Sequence, residues 1–297
     1  AATDAVLIAF HFAMPEKLSL PAAITLGAIA TATAPAATLM VVRQYKAKGS
    51  LTNLLLPIVA LDDAVGLVVF AVSFGAAKAM SSGALDIVSV VIEPLLEILL
   101  SLALGAAMGY ILTLLERKFF SNSNRMSMTI GFVLLTVALS SLKFTVGALH
   151  ISFSSLLVCM MLGTVFCNTC PLSFDLMERA DRWTAPLYVF FFVVSGAGLE
   201  LSVFKDLWVV LIGIIYVLVR ALGKYAGAFG GCVATKQDKK VTHYLGIALF
   251  PQAGVALGMC VTASQLEGDG KIIRNIVLFA ILIYELVGPT LTKWALT

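Results

Sequence analysis

Charge is what this sequence has least of. Asp, Glu, Lys and Arg together make up 12% of 297 residues, about half the usual share for a soluble domain. That scarcity excludes a water-exposed globule and leaves a chain that crosses a membrane many times. Histidine is nearly absent, with three residues, and five cysteines are too few and too irregular for a disulfide framework. Cys167 and Cys170 have the CxxC spacing of a redox or metal site. Without a second pair or a histidine set, they read as packing residues, like Cys159, Cys232 and Cys260. His11, His150 and His243 fall near helix ends and read as interface packing. The net charge of +3 points to neither nucleic acid nor an acidic substrate. No initiator methionine and no signal-peptide pattern open the chain, so it reads as truncated at its front.

What the sequence does contain is long apolar runs. Ten candidate spans stand out, at roughly 4–14, 21–42, 51–77, 90–115, 127–142, 146–168, 184–202, 206–231, 242–264 and 271–294. Lys and Arg in alternate loops set their direction. Arg43, Lys46, Lys48, Arg117, Lys118, Arg125, Arg179, Arg182, Lys236, Lys239 and Lys240 make eleven on one side. Lys17, Lys78, Lys143, Lys205, Lys271 and Arg274 make six on the other. By the positive-inside rule the first set is cytoplasmic, and so is the C-terminal end with Lys293.

Within Leu51–Ala77, Asp62 and Asp63 stand side by side near the middle of a span. A carboxylate there costs roughly 2.5–3.5 kcal/mol on insertion scales, so the pair calls for partners, water or a bound cation. Two other spans are interrupted at the same depth. Thr31, Thr33 and Pro35 break the second, and Pro251, Gln252 and Gly254 break the ninth. Proline removes an amide donor and clashes with the preceding turn, and irregular backbone survives at membrane depth only where protein buries it or it lines a wet cavity.

The first three and last three spans run in opposite directions, and each triplet has its broken span second. The third span of each carries a mid-span acid, in Asp62-Asp63-Ala-Val-Gly66 and in Glu285-Leu-Val-Gly288. This is the inverted-repeat plan of secondary transporters, with an ion site between discontinuous helices. It implies an all-α polytopic membrane protein divided into 1–77 (first repeat), 78–205 (linker and panel) and 206–297 (second repeat). Span eight supplies positive charge on one helical face, at Arg220 and Lys224. Arginine suits a permanent pair, for which Glu285 is the candidate partner, whereas lysine can join in proton coupling.

Four segments resemble the monovalent cation:proton antiporter superfamily in its Na+/H+ branch with a vicinal Asp pair: Ile29-Ala-Thr-Ala-Thr-Ala-Pro-Ala-Ala37, Ala60-Leu-Asp-Asp-Ala-Val-Gly66, Arg220-Ala-Leu-Gly-Lys224 and Phe250-Pro-Gln-Ala-Gly-Val-Ala256. The resemblance implies a core of two inverted three-helix units moving against a homodimerising panel, in a bilayer such as a bacterial inner membrane. It implies Asp63 as principal Na+ ligand, Asp62 as the carboxylate paired with Lys224, and Thr31 and Thr33 as polar lining. It further implies electrogenic Na+ (or Li+) exchange for H+ serving pH homeostasis, with no cofactor and no enzymatic step. Two buried carboxylates cannot both stay ionised cheaply, so protons and a cation compete for their oxygens. A K+/H+ antiporter or potassium efflux system on the same fold is the alternative. An intramembrane aspartyl protease fits poorly, because its GxGD context is missing. A sodium-coupled organic-anion symporter would not need the Asp pair with lysine.

Overall fold

The computed structural model describes residues 1–81, 92–146, 149–197, 207–266 and 268–296. Twelve helices run in order among them: α1 (Ala2–Ala13), α2 (Leu20–Ile29), α3 (Pro35–Gln44), α4 (Ser50–Ser81), α5 (Glu93–Glu116), α6 (Asn122–Ser140), α7 (Ser155–Thr169), α8 (Ser173–Ala197), α9 (Leu207–Ala234), α10 (Lys239–Ala248), α11 (Gly254–Ala263) and α12 (Gly270–Leu296). Four of them, α4, α5, α9 and α12, are each long and apolar enough to cross a bilayer alone. The expected spans at 21–42 and 242–264 are each two ten-residue helices joined by non-helical backbone. The first break precedes Pro35, which starts α3. Its fixed φ and missing N–H suit that position.

The chain forms two compact units, Ala1–Ser82 with Ser195–Thr297, and Gly83–Val194. In the first, α2 is buried on nearly every side, with Ala22, Ala23, Leu26, Ala28 and Ile29 all fully enclosed. A helix apolar all round belongs at the centre of a bundle, and α4, α1 and α12 surround it. A second apolar cluster joins Leu55 and Val59 of α4 to Cys232 of α9 and Val241, Leu245 and Ala248 of α10. Ser19 caps α2 by accepting the Ala22 N–H, and its hydroxyl donates to Asp269 beside the start of α12.

In the second unit, Gly105 and Gly109 of α5 form a small-xxx-small step pressed against α7. A Cβ on Gly109 would lie 2.5 Å from the Leu162 carbonyl oxygen, and one on Gly105 would strike that of Val158. Small residues are what let two membrane helices approach this closely. Met108, Leu112, Phe132, Leu162, Phe166 and Leu176 fill the core around that contact.

The structure redraws two predicted spans. The one expected at 146–168 is helical only from Ser155; before it, β1 (Phe144–Val146) and β2 (Leu149–Ile151) pair antiparallel, with Phe144 opposite Ile151. The one expected to start at 184 begins at Ser173, because Arg179–Asp175 (2.8 Å) and Arg182–Glu178 (2.7 Å) pair one turn apart along α8. Arg179 and Arg182 are therefore helical, not loop, residues. Lys205, the 90–91 start of the fourth span and the 198–202 end of the seventh lie outside the described residues.

Candidate ion-binding site

Both breaks lie at the centre of the first unit and touch. The Ala34 N–H of the first donates to the Pro251 carbonyl of the second at 2.9 Å. Glycines on the flanking helices permit this crossing. A Cβ on Gly66 of α4 would sit 3.1 Å from Thr31 Oγ1, and one on Gly288 of α12 would sit 3.1 Å from the Pro251 Cα. Asp62 precedes Gly66 by four residues and Tyr284 precedes Gly288 by four, so a common register aligns Asp62 with Tyr284.

Helix α9 aims three side chains at the crossing, spaced one turn apart. Lys224 Nζ donates to Asp62 Oδ2 (2.5 Å), the Thr31 carbonyl (2.6 Å) and Thr33 Oγ1 (2.8 Å). Thr33, fully buried, donates its hydroxyl to the same Asp62 oxygen. Arg220, only 1% exposed, donates to the carbonyls of Ala30 (3.0 Å), Ala32 (2.6 Å) and Phe250 (2.8 Å), and stacks 4.4 Å over the Tyr284 ring. Those carbonyls follow the C-terminal ends of α2 and α10, where helix dipoles concentrate negative potential. One guanidinium thus holds both broken spans. Tyr216, a turn earlier, accepts a hydrogen bond from Gln252 Nε2 (3.1 Å), which also donates to the Ile29 carbonyl (3.0 Å).

Asp63 points elsewhere from Asp62, as neighbours on a helix must. Its Oδ1 is buried and has no hydrogen-bond partner among the described residues. A carboxylate oxygen taken out of water and left unpaired is costly, and a proton or a cation is what offsets it.

A cavity of about 500 Å³ reaches Asp62 and Lys224 from the C-terminal end of α9, running past Gly227, Gly231, Cys232 and Gln237. Gly227 and Gly231 have open space where a Cβ would stand, so missing side chains make the opening.

The structure brings together Asp62, Lys224, Thr31, Thr33, Arg220 and Gln252, and sets Asp63 beside them. Thr31 differs from expectation in one respect: its hydroxyl donates to the Ala28 carbonyl at 2.6 Å, so its own carbonyl is the group offered to Lys224. Glu285 does not join the cluster. It is exposed on α12, and Arg220 takes three carbonyls and the Tyr284 ring in its place. The common register explains why, since it turns Tyr284 inward and leaves the next residue facing out. Tyr216 and Tyr284 went unnoticed in the sequence. The i, i+4, i+8 stripe through Arg220 and Lys224 marks Tyr216; Tyr284 carried no signal beyond its adjacency to Glu285.

A model of the transmembrane sodium/hydrogen exchanger family matches residues 2–297. The chain belongs to that family. Among solved structures, it is similar to the sodium proton antiporter MjNhaP1 from Methanocaldococcus jannaschii at pH 8, with a TM-score of 0.72 and 17% identity over 92% of this chain and 71% of that one. A search of curated proteins returns no match. Family membership makes this exchanger an integral membrane cation/proton antiporter and not an enzyme, and the structural likeness is one of helical fold.

Proposed function

We propose that this exchanger moves Na+ or Li+ against H+ electrogenically, with Asp63 as principal cation ligand and Asp62 as the carboxylate that trades Lys224 for the ion. The observation that carries the reading is the buried Oδ1 of Asp63, without a partner among the described residues, next to an Asp62 already held by lysine, where two broken helices cross. Two carboxylates and one ammonium leave a charge of −1, which a proton on Asp63 neutralises. When the ion takes Asp62, Lys224 keeps the Thr31 carbonyl and Thr33 Oγ1, so two of its three bonds survive the exchange. Na+ on the two carboxylates displaces one proton from Asp63 and one from Lys224, whose amine retains two hydrogens for the Thr31 and Thr33 oxygens, and release of Na+ lets each group take its proton back. Two protons against one Na+ move net charge.

The cavity supports a conformation open toward the α9 C-terminus, the end that carries Lys236, Lys239 and Lys240 and is cytoplasmic by the positive-inside rule. Helices α1–α4 and α9–α12 act as the two inverted core triplets, and residues 83–194 act as the panel of a homodimer. Alternating access follows from movement of the core around a site of fixed geometry. A bacterial inner membrane with the C-terminus inside is the setting this reading implies.

The test is proton flux in proteoliposomes challenged with Na+, Li+ and K+. Asp63→Ala abolishes Na+- and Li+-dependent flux. Undiminished exchange in that variant overturns the assignment, and wild-type flux driven by K+ alone overturns the ion.

A further inference from the structure

Between α11 and α12 lies a groove of about 190 Å³, remote in sequence from the charged cluster and lined by Leu257, Cys260, Val261, Ser264, Arg274 and Leu278. Its polarity is graded. Helix α12 has 27 residues and is roughly 40 Å long at about 1.5 Å per residue. It therefore overhangs a hydrocarbon layer of about 30 Å by roughly 5 Å at each end. On that placement Lys271, in the first turn, lies at headgroup level, Arg274 lies at the hydrocarbon boundary, and Leu278 lies one turn deeper. Helix α11 ends at Ala263, and a Cβ on Gly270 would strike the Ser264 carbonyl, so Ser264 stands level with the start of α12, with Val261 and Leu257 progressively deeper. The groove is thus polar and cationic at its mouth and apolar toward the bilayer centre.

Lys271 and Arg274 are exposed, three residues apart on one helical face, and neither forms an ion pair with a described residue. Among the described residues of the loop the acid is Asp269, which already accepts from Ser19. Two cations without a described counter-ion, over an apolar cleft between spans, have the chemistry of an anionic-lipid site. Cys260, 3% exposed, forms the inner wall, so an acyl chain lying there covers apolar surface on both helices.

We propose that this groove binds one anionic phospholipid. The headgroup phosphate lies against Arg274 and Lys271, and an acyl chain lies along Leu257, Val261 and Leu278. The wall formed by α11 is the half-helix that follows the second break, so the lipid packs directly on a discontinuous span.

The experiment uses the full chain in phosphatidylcholine nanodiscs doped with phosphatidylglycerol, with retained lipid counted by native mass spectrometry. Wild type retains phosphatidylglycerol in preference to phosphatidylcholine. Arg274→Gln and Lys271→Gln each weaken that preference about fivefold, the effect of one surface cation near anionic lipid. Val261→Trp fills the cleft and lowers retention with both charges intact. Unchanged retention in R274Q, equal retention of the two lipids by wild type, or displacement by inorganic phosphate as effective as by lipid overturns the proposal. Na+ flux through the Asp63 site is a separate readout, so failure here leaves the transport reading standing.

Discussion

Replacing Arg220 by lysine separates two roles that the buried guanidinium could play. If only a positive charge is needed beside Lys224, lysine serves. If the need is for donors that span three carbonyls on two half-helices, lysine fails, because its three hydrogens radiate from one nitrogen while the guanidinium presents a planar fork. The geometry favours the second role, since Ala30, Ala32 and Phe250 all accept from Arg220 within 3.0 Å. An orphaned buried carbonyl costs about 1–3 kcal/mol. Arg220→Lys strands at least one or two, and Arg220→Met strands all three, for a loss of about 3 kcal/mol or more after the relief of guanidinium desolvation. At roughly 2–4 °C per kcal/mol for a domain of this size, that is a fall of roughly 6–12 °C in melting temperature for the methionine variant. Fluorescence-detected melting in detergent, paired with Na+-driven proton flux in liposomes, reads both consequences. Arg220→Lys is expected to melt early and exchange poorly. Wild-type melting and flux in that variant would refute the clamp and return Arg220 to being a source of charge.

Three further variants probe the surrounding parts. Lys224→Ala removes the partner of Asp62 but leaves the Arg220 clamp in place. Its pH profile and charge movement per Na+ should change more than its melting temperature, and failure to assemble would mark the lysine as structural. Thr33→Val deletes a donor to Asp62 and an acceptor for Lys224, a loss of about 1–1.5 kcal/mol. The KM for Na+ should therefore rise about tenfold at constant expression, and an unchanged KM removes Thr33 from the site. Gly227→Leu adds bulk where a Cβ would meet no described atom from outside its own stretch of helix within 4 Å, so melting should hold while exchange falls. Full exchange would show that ions do not travel through the cavity along α9.

The order of residues determined a good deal on its own. Scarcity of charge and runs of apolar length dictate a polytopic helical protein, since every backbone group in hydrocarbon must be paired within its own segment. Asp62, Asp63, Lys224 and the two proline-marked breaks were legible because each violates the apolar rule that governs its neighbours, and such a violation has to be compensated. Two features were illegible for opposite reasons. The charged first half of α8 hid a helix held by i, i+4 ion pairs, and the β1–β2 hairpin looked like the start of a span because both are apolar.

Tertiary structure alone decided who partners whom. Sequence offers Glu285 to Arg220 on charge, but pairing requires the two side chains to face one another. Close packing at Gly66 and Gly288 sets the rotation of α4 and α12, turning Asp62 and Tyr284 toward the crossing and Glu285 away from it. Spacing along one chain fixes which residues share a helical face; only the approach of two helices fixes what that face meets.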